Sequence, residues 1–578
     1  MNKQILSLIS AYRGKLSTET FTEILAACMA WLKLSSNGKL DDEHDFKGTA
    51  SKELLAKVLN NCVDVHFSSE KWDIDDAQLT KLLNSLLELI KANVVSYTEL
   101  SEVIKHLHYS EGKNSSLFTV PVELAELGAK LIGDNTQSVY CPFLGGSDFA
   151  MQWPKAVEKC GESLVGSEVF FAEVHSILLE NKFDTVNANP IYTPYYIGDG
   201  GLKQFDASIA MPPIGMKLQV DKINDIWGRF PEKSLMGEVY FLRHMLAQTS
   251  NTVVCFVANG FLFRTAAGEK QFKQDVVNQN WVKAVIALPN NLLSNTSISI
   301  SILVLDKNKN DTKVKFIDAS SDIFTDKSSR TRNRLVNIDK ILEAYSSIEA
   351  SDISSNAVPG QLIENDYNLS PNRYVFSDES KEVKEYLRQF KTAKLEDLVD
   401  IIRPQAVKHV EDGVENFYEF NLSNLDDVGF VSGEGKQICV SQNDISKANK
   451  QAIKANDVLV VCKGAVGKIG FADGNIGDNA IASQAFSILR VKPYVKEITA
   501  EALYQYLTSK YGQQLLVELA TGTSALMLSA KDLNTLDVPL YPAEKLDEIS
   551  EVRQKVINIF QQIEGLKSDV KQLNESWL

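Results

Sequence analysis

Cysteine is sparse and scattered in this chain of 578 residues: Cys28, Cys62, Cys141, Cys160, Cys255, Cys439 and Cys462 are all there are. No two stand at C-x-x-C spacing, which argues against a zinc finger, and the odd number argues against a disulfide framework. No metal site is expected. A run of about 18 or more apolar residues is also missing, so no membrane span is expected. The opening MNKQILSLISAYRGK lacks a small-residue cleavage site and runs into helical patterning, so it reads as a helix of a cytoplasmic protein and not as a signal peptide. Positive charge is not in excess: 60 Lys and Arg stand against 75 Asp and Glu, for a net charge of −15. That excludes a uniformly basic nucleic-acid coat but leaves room for a local basic groove, because phosphate binding depends on local charge. No G-x-x-x-x-G-K-[ST] phosphate loop occurs, so neither a helicase nor a nuclease is legible, and DNA cleavage would fall to another chain.

The rest is ordinary globular material, 44% hydrophobic and 23% charged, long enough for about three to five folding units. Residues 1–112 read as a helical N-terminal domain: TFTEILAACMAWLKL and LTKLLNSLLELIKANVV repeat apolar residues at helical spacing. Residues 113–390 alternate strands with helices, including SVYCPFL, FDASIAM, NTVVCFVANG, WVKAVIALP and SISILVLDK, which implies a largely parallel α/β sheet of Rossmann-like type. Within this stretch, Arg330, Arg332 and Arg334 form a basic loop that fits either solvation or a phosphate contact. Residues 391–542 form a second α/β domain, in which DVLVVC, KIGFAD and QAFSILRV alternate with Gly and Asn turns and ALYQYLTSKYGQQLLVELA reads as one helical stretch. Residues 543–578 form a long amphipathic helix with Ile549, Val552, Val556, Ile559, Ile563 and Leu566 on one stripe.

Three pieces of the first α/β stretch point to a ligand site. Val139–Phe149 carries a strand into a turn at Gly145 and Gly146, where backbone approaches a ligand closely. Glu168 is expected at the end of a second strand, Leu164–Val169, about 20 residues on, where a carboxylate suits ribose hydroxyls. Phe205–Gly215 then runs a strand into a Pro-Pro turn, preceded by Gly198-Asp199-Gly200. Two prolines leave carbonyls without competing N–H donors, a rigid place to position an amine.

Together these pieces resemble the N6-adenine DNA methyltransferases, in particular the modification subunit of type I restriction-modification systems, over roughly residues 115–375. Phe118-Thr-Val-Pro-Val-Glu123 is similar to the family's F-Y-T-P-x-E, Cys141–Phe149 to its D-P-x-C-G-S-G-G-F loop, Gly166-Ser-Glu168 to its G-Q-E, and Met211-Pro-Pro-Ile214 to its N-P-P-F or N-P-P-Y. The resemblance implies S-adenosylmethionine as cofactor, held by Pro121, Gly145, Gly146, Phe149, Glu168 and Asp199, with Met211, Pro212, Pro213 and Ile214 lining the pocket of a flipped-out adenine. In the family, the motif's Asn and the first proline's carbonyl accept from the adenine amino group, and the aromatic residue stacks on the base. Here Met211 is a poor acceptor and Ile214 has no ring, while Asp148 adds a negative charge to the cofactor loop. Two outcomes follow: methyl transfer that is weak or lost, which is favoured, or an active enzyme with an atypical site. An inactive protein would recognise a DNA site or its methylation state.

Residues 392–542 resemble one target-recognition domain of the type I specificity subunit. Leu395–Ile402, Ile453–Lys468, Asn479–Gln484, and Thr521–Ser524 with Leu528–Leu533 carry that likeness in order. Lys463 and Lys468 suit phosphate contacts, and Asn479 and Gln484 suit adenine edges of double-stranded DNA. One such domain reads half of a bipartite site, so the terminal helix suggests a homodimer, alongside restriction or defence subunits as partners. The helix packing back on its own chain is the other alternative.

Overall fold

The computed structural model describes the chain except for residues 1–4, 6–7, 9, 12–15, 64–67, 71, 112–118, 144–146, 295, 297, 329–331, 376–377, 427–428, 473–475, 521–526 and 576–578. It divides into two compact units, Met1–Val375 and Phe376–Leu578.

The first unit opens with helices α1 (Thr18–Ser36), α2 (Lys52–Asn60), α3 (Asp76–Lys91) and α4 (Tyr97–Glu111). Sequence sets their starts: the Ser17 hydroxyl accepts from Thr20 N, and Asp75 and Gln78 form a reciprocal capping box on α3. Trp31 is fully buried, and its indole N–H donates to the His44 carbonyl at 2.8 Å, so its polar end is satisfied. These helices share one core with Phe170, Phe171, Val174 and Leu178. Those four belong to α6, a helix of the α/β region described next, so the N-terminal helices pack directly onto it.

That region begins with α5 (Val122–Ile132) and holds nine strands in one sheet: β1 (Ser138–Pro142), β2 (Glu158–Ser163), β3 (Asp184–Asn187), β4 (Phe205–Ala210), β5 (Thr249–Ala258), β6 (Val282–Ala287), β7 (Ile300–Asp306), β8 (Val314–Asp318) and β9 (Ser354–Ala357). Their spatial order is 9-8-6-7-5-4-1-2-3. Pairings β1–β2, β1–β4, β2–β3, β4–β5 and β6–β8 are parallel; β7 is antiparallel to β5 and β6, and β9 to β8. The expected alternation of strands and helices is present, with helices α6 (Gly166–Leu179), α7 (Gly237–Ala247), α8 (Ala267–Asn278) and α9 (Ile338–Ser346).

Side chains alternate between the two faces of the sheet. Val254 and Phe256 join the core under α5, α6 and α9, while Val253, Cys255 and Val257 join the core under α7 and α8. Gly128 on α5 allows a close approach: a Cβ there would lie 2.6 Å from Ile209 Cδ1 on β4. The strand order reverses between β1 and β4, the place where open sheets of this kind form a ligand crevice.

The second unit contains β10 (Val399–Ile402), β11 (Glu415–Phe420), β12 (Lys436–Val440), β13 (Val458–Val461), β14 (Ile469–Phe471), β15 (Ala480–Ala482) and β16 (Phe486–Val491). Four of them make an antiparallel sheet in the order β10-β16-β13-β14, and three make a sheet in the order β12-β11-β15. The single helical stretch expected over residues 502–520 is two helices, α10 (Ala500–Thr508) and α11 (Lys510–Leu519). Ser509 leaves helical geometry with ψ 160° and caps α11 through Gly512 N. Gly512 makes that corner sterically feasible, since a Cβ there would fall 2.1 Å from the Tyr506 carbonyl.

The terminal helix α12 (Ala543–Glu575) has 33 residues and is therefore about 50 Å long. Its first turns pack on their own unit: Leu546 is buried, and the Arg553 guanidinium sits 4.1 Å from the ring centre of Tyr504, 4.2 Å from Phe430 and 5.4 Å from Phe471. Further along, Ile559, Ile563, Leu566, Val570 and Leu573 are exposed. Among the described residues no helix is long and apolar enough to cross a membrane.

Candidate functional site

A cleft of about 890 Å³ opens at the carboxyl ends of β1, β2 and β4, where the strand order reverses. Met211, Pro213 and Ile214 line it, directly after β4, and Pro212 is buried between them. Met211 is 1% exposed. Three of the four residues of the Met-Pro-Pro-Ile segment thus line the cleft, and Pro212 does not.

The carboxylate opposite is arranged differently from the expectation. Strand β2 is Glu158–Ser163, and residues 164–169 are the turn and first helical residues beyond it. Glu168 thus sits in the first turn of α6, not at a strand end. It still reaches the cleft, because Ser163 Oγ, at the strand terminus, donates to Glu168 Oε2 at 2.6 Å, and both line the cavity. Burial pushes the Glu168 carboxyl up, and the Ser163 hydroxyl partly offsets this. Strand β2 was missed because it carries Glu158, Lys159 and Glu162. Lys159 is only 2% exposed, and its Nζ donates to the Pro154 and Val157 carbonyls at 2.9 Å each. A buried lysine satisfied by local carbonyls leaves no hydrophobic signal.

Most of the other expected cofactor residues are not in the cleft. Gly145 and Gly146 lie outside the described residues. Phe149 is in the core, its ring 5.5 Å from that of Phe256. Pro121 is buried at the start of α5, and Asp199 is exposed at the tip of a short hairpin, Ile197–Leu202; neither lines the cavity. The segment Ser147–Phe149 is fastened at each of its three residues. Ser147 Oγ bonds His175 Nδ1 at 2.9 Å on α6, Asp148 pairs with Lys105 Nζ at 3.0 Å on α4, and Phe149 packs on β5. Asp148 therefore directs its charge into the protein, toward Lys105. Burial drives its carboxyl up to about 6 despite the lysine.

Sequence reasoning missed several cleft residues: Phe143, Asn189, Tyr192, Gln219 and Phe241. Phe143 has a left-handed backbone with φ 59°, costly for a bulky residue, and its N–H donates to the Glu162 carbonyl. Asn189 Oδ1 accepts from Ile191 N and Tyr192 N and so shapes the loop after β3; the Asn-Pro pair was its available turn signal.

Behind the cleft runs a buried polar chain. Arg229 Nη1 is 2.9 Å from His244 Nδ1, His244 Nε2 is 2.7 Å from the Tyr140 hydroxyl, and that hydroxyl bonds Glu162. Arginine only donates, so Nδ1 accepts, Nε2 carries the proton to Tyr140, and Tyr140 donates to the carboxylate. Burial pulls the His244 imidazole below its usual range, which keeps it neutral and fits this tautomer. Arg229 also donates to the carbonyls of Pro190 and Ile191, at 2.9 and 2.8 Å, and pairs with Asp225, while Glu162 accepts from Tyr195 N. The chain pins the 189–196 and 225–230 loops to the sheet. Arg332, from the basic loop, pairs with buried Glu123 and is not free for phosphate; Arg334 is exposed, and Arg330 lies outside the described residues.

In the second unit, Lys463 and Lys468 are exposed at the two ends of the turn joining β13 to β14, which closes through Val461 N to the Lys468 carbonyl. Cys462 N donates to the Ala485 carbonyl, so exposed Gln484 lies beside Lys463. Asn479 is separate, at the far end of β15. Its side-chain amide donates to the Asn416 carbonyl at 3.0 Å and to Glu415, and its own φ is 59°. It supports the turn and does not join the other three. Residues 521–524 lie outside the described residues.

Residues 101–383 match the N-6 DNA Methylase family, and residues 388–572 match the Type I restriction modification DNA specificity domain. The chain is an N-6 DNA methylase domain joined to a type I specificity domain. It is similar to the Type I restriction enzyme MpnII methylase subunit of Mycoplasma pneumoniae, 28% identical over 346 residues, 53% of this chain and 62% of that relative. It is similar also to the Type I restriction enzyme EcoBI specificity subunit of Escherichia coli, 24% identical over 264 residues, 44% of this chain and 51% of that one. Among solved structures, the type I restriction-modification methyltransferase subunit from Streptococcus thermophilus shares the fold, with TM-score 0.50 and 20% identity over 65% of this chain and 99% of its own. The chain spans less than two thirds of the length of the MpnII subunit. The cleft and Met211–Ile214 fall in the methylase domain; Lys463, Lys468, Asn479 and Gln484 fall in the specificity domain.

Proposed function

We propose that this protein binds duplex DNA through its specificity domain, and that its methylase cleft takes S-adenosylmethionine and an extruded adenine but transfers methyl slowly or not at all. Met211 carries the reading. Adenine N6 attack needs an acceptor aimed at the amino group, and a thioether is a weak one. Removing one aligned polar group from an enzyme site costs about 10²–10³ in rate. Ile214, in the place of a stacking ring, adds to the loss.

The cleft's residues fit the cofactor. Ser163 and Glu168 offer a hydroxyl and a carboxylate for ribose hydroxyls, Phe143, Leu164 and Val165 offer apolar wall, and the volume suits a nucleoside beside a second base. When bound, S-adenosylmethionine supplies an electrophilic methyl group. The chain's own contribution is to hold the base beside the Pro212-Pro213 backbone carbonyls. Those carbonyls favour the second reading, an active N6-adenine methyltransferase with an atypical site.

The seam of α12 supports pairing with a second copy. Val552, Val556, Ile559, Ile563, Leu566, Val570 and Leu573 follow an alternating three- and four-residue spacing from Val552 onward, the coiled-coil pattern, and most are exposed. Two copies would place two specificity domains on one bipartite site, in a bacterial restriction-modification or defence setting where other chains supply cleavage.

Calorimetry with S-adenosylmethionine tests the cofactor cleft, and radiolabelled methyl transfer to DNA tests catalysis. The expected result is binding with little transfer, raised by the double change Met211→Asn, Ile214→Phe. Robust transfer by the unchanged protein would overturn the reading.

A further inference from the structure

We propose that the methylase cleft is a receptor for adenine already methylated at N6. The inference rests on the reading that this cleft admits an extruded adenine, and it names the form of the base that the cleft prefers.

The first argument counts donors and acceptors. An unmodified 6-amino group presents two N–H donors. Pro212 and Pro213, directly after β4, carry no N–H to compete for their own backbone carbonyls, which on the proposed reading take the first of these donors. A second, side-chain acceptor is needed for the other N–H, and its place is taken by Met211, 1% exposed at the cleft wall. Adenine seated there leaves one N–H unpaired in a buried setting, a penalty that weakens binding. N6-methylation replaces that N–H with a methyl group. The base then loses one donor where the protein has lost one acceptor.

The second argument is the surface the methyl group would meet. Met211, Ile214, Met216, Phe241 and Ile298 line the cleft, and Met216 and Ile298 are 42% and 41% exposed. Large apolar side chains held open to solvent at a concave site mark a place that gains by covering them. A thioether is polarisable and adapts to an added methyl. A cleft built to hold the unmodified amino group would put polar atoms at this point.

The test uses the full chain and isothermal calorimetry, with N6-methyl-2′-deoxyadenosine and 2′-deoxyadenosine as probes, each with and without saturating S-adenosylhomocysteine to occupy the cofactor end. The methylated nucleoside should bind about tenfold more tightly, from one avoided unpaired donor and one buried methyl. Met211→Asn should erase or invert the preference, and the wild-type comparison stands even where the variant fails to fold. Oligothymidylate strands carrying one N6-methyladenine or one adenine separate a base within DNA from a free nucleoside; preference for the methylated form in either setting supports the proposal. Equal affinity, or preference for the unmodified base, overturns it. S-adenosylhomocysteine binding without discrimination sinks this inference alone, whereas no binding of either nucleoside or of S-adenosylhomocysteine sinks the proposed function as well.

Discussion

Lys105 on α4 places its ammonium 3.0 Å from the carboxylate of Asp148, and both side chains are buried. The N-terminal helices thus hold the Ser147–Phe149 segment of the methylase domain by an ion pair. Breaking one partner of a buried pair leaves an uncompensated charge and typically costs about 3–5 kcal/mol, whereas replacing both by apolar groups is close to neutral. Lys105→Met should therefore lower the urea midpoint sharply, and Lys105→Met with Asp148→Leu should recover most of the loss.

The same carboxyl gives a pH signature. Its folded value, about 6, lies above the unfolded 3.8, so the folded chain holds that proton more tightly. The stabilising contribution is full below about 4 and is lost as pH rises through about 6. Relative to Asp148→Asn, the wild-type protein should lose stability across that window, read from urea midpoints at pH 4 to 7. A flat difference would contradict the buried titration.

His244 runs the opposite way. Its imidazole is depressed by burial, so its contribution is present above the unfolded value near 6.5 and fades as pH falls. His244→Gln should reduce this acid sensitivity. Because Arg229 anchors the Pro190 and Ile191 carbonyls through the same chain, Arg229→Gln should raise amide exchange over residues 189–196 and weaken S-adenosylhomocysteine binding. Unchanged exchange there would show that the loop is held by other contacts.

Lys463 and Lys468 carry an electrostatic prediction. Each phosphate contact contributes about 0.9 to the slope of log affinity against log salt. Changing both to alanine should cut the slope for DNA binding by about 2 in fluorescence anisotropy. Asn479→Ala should instead lower stability, because its amide bonds backbone of β11, and should leave the salt slope alone.

Arg553 inserts its guanidinium among Phe430, Phe471 and Tyr504 and so ties α12 to the specificity domain. Arg553→Ala should abolish exchange protection in the first turns of α12, with Arg553→Lys intermediate, since a point charge stacks less well than a planar guanidinium. Farther along, Ile563→Glu with Leu566→Glu should shift sedimentation to the monomer if the exposed seam pairs two copies.

Local sequence pattern determined a good deal by itself. The runs that became β4, β5, β6 and β7 are apolar and short, and the Pro-Pro turn after β4 marks the cleft, because prolines restrict backbone wherever they stand. The order of motifs also separated a methylase-like part from a specificity-like part. What pattern misplaced was β2, whose Lys159 and Glu162 are polar yet buried, so that Glu168 was read onto a strand when it belongs to a helix. Only the tertiary structure decided that Ser163 and Glu168 meet, that Asp148 turns inward to Lys105, that Phe149 fills the core, and that Arg229 reaches His244 behind the cleft. Partners such as Lys105 and Asp148 are far apart in the chain, and a charged side chain in sequence carries no sign of whether it will face water or a distant opposite charge. That choice is made by desolvation, which exists only once the chain has packed.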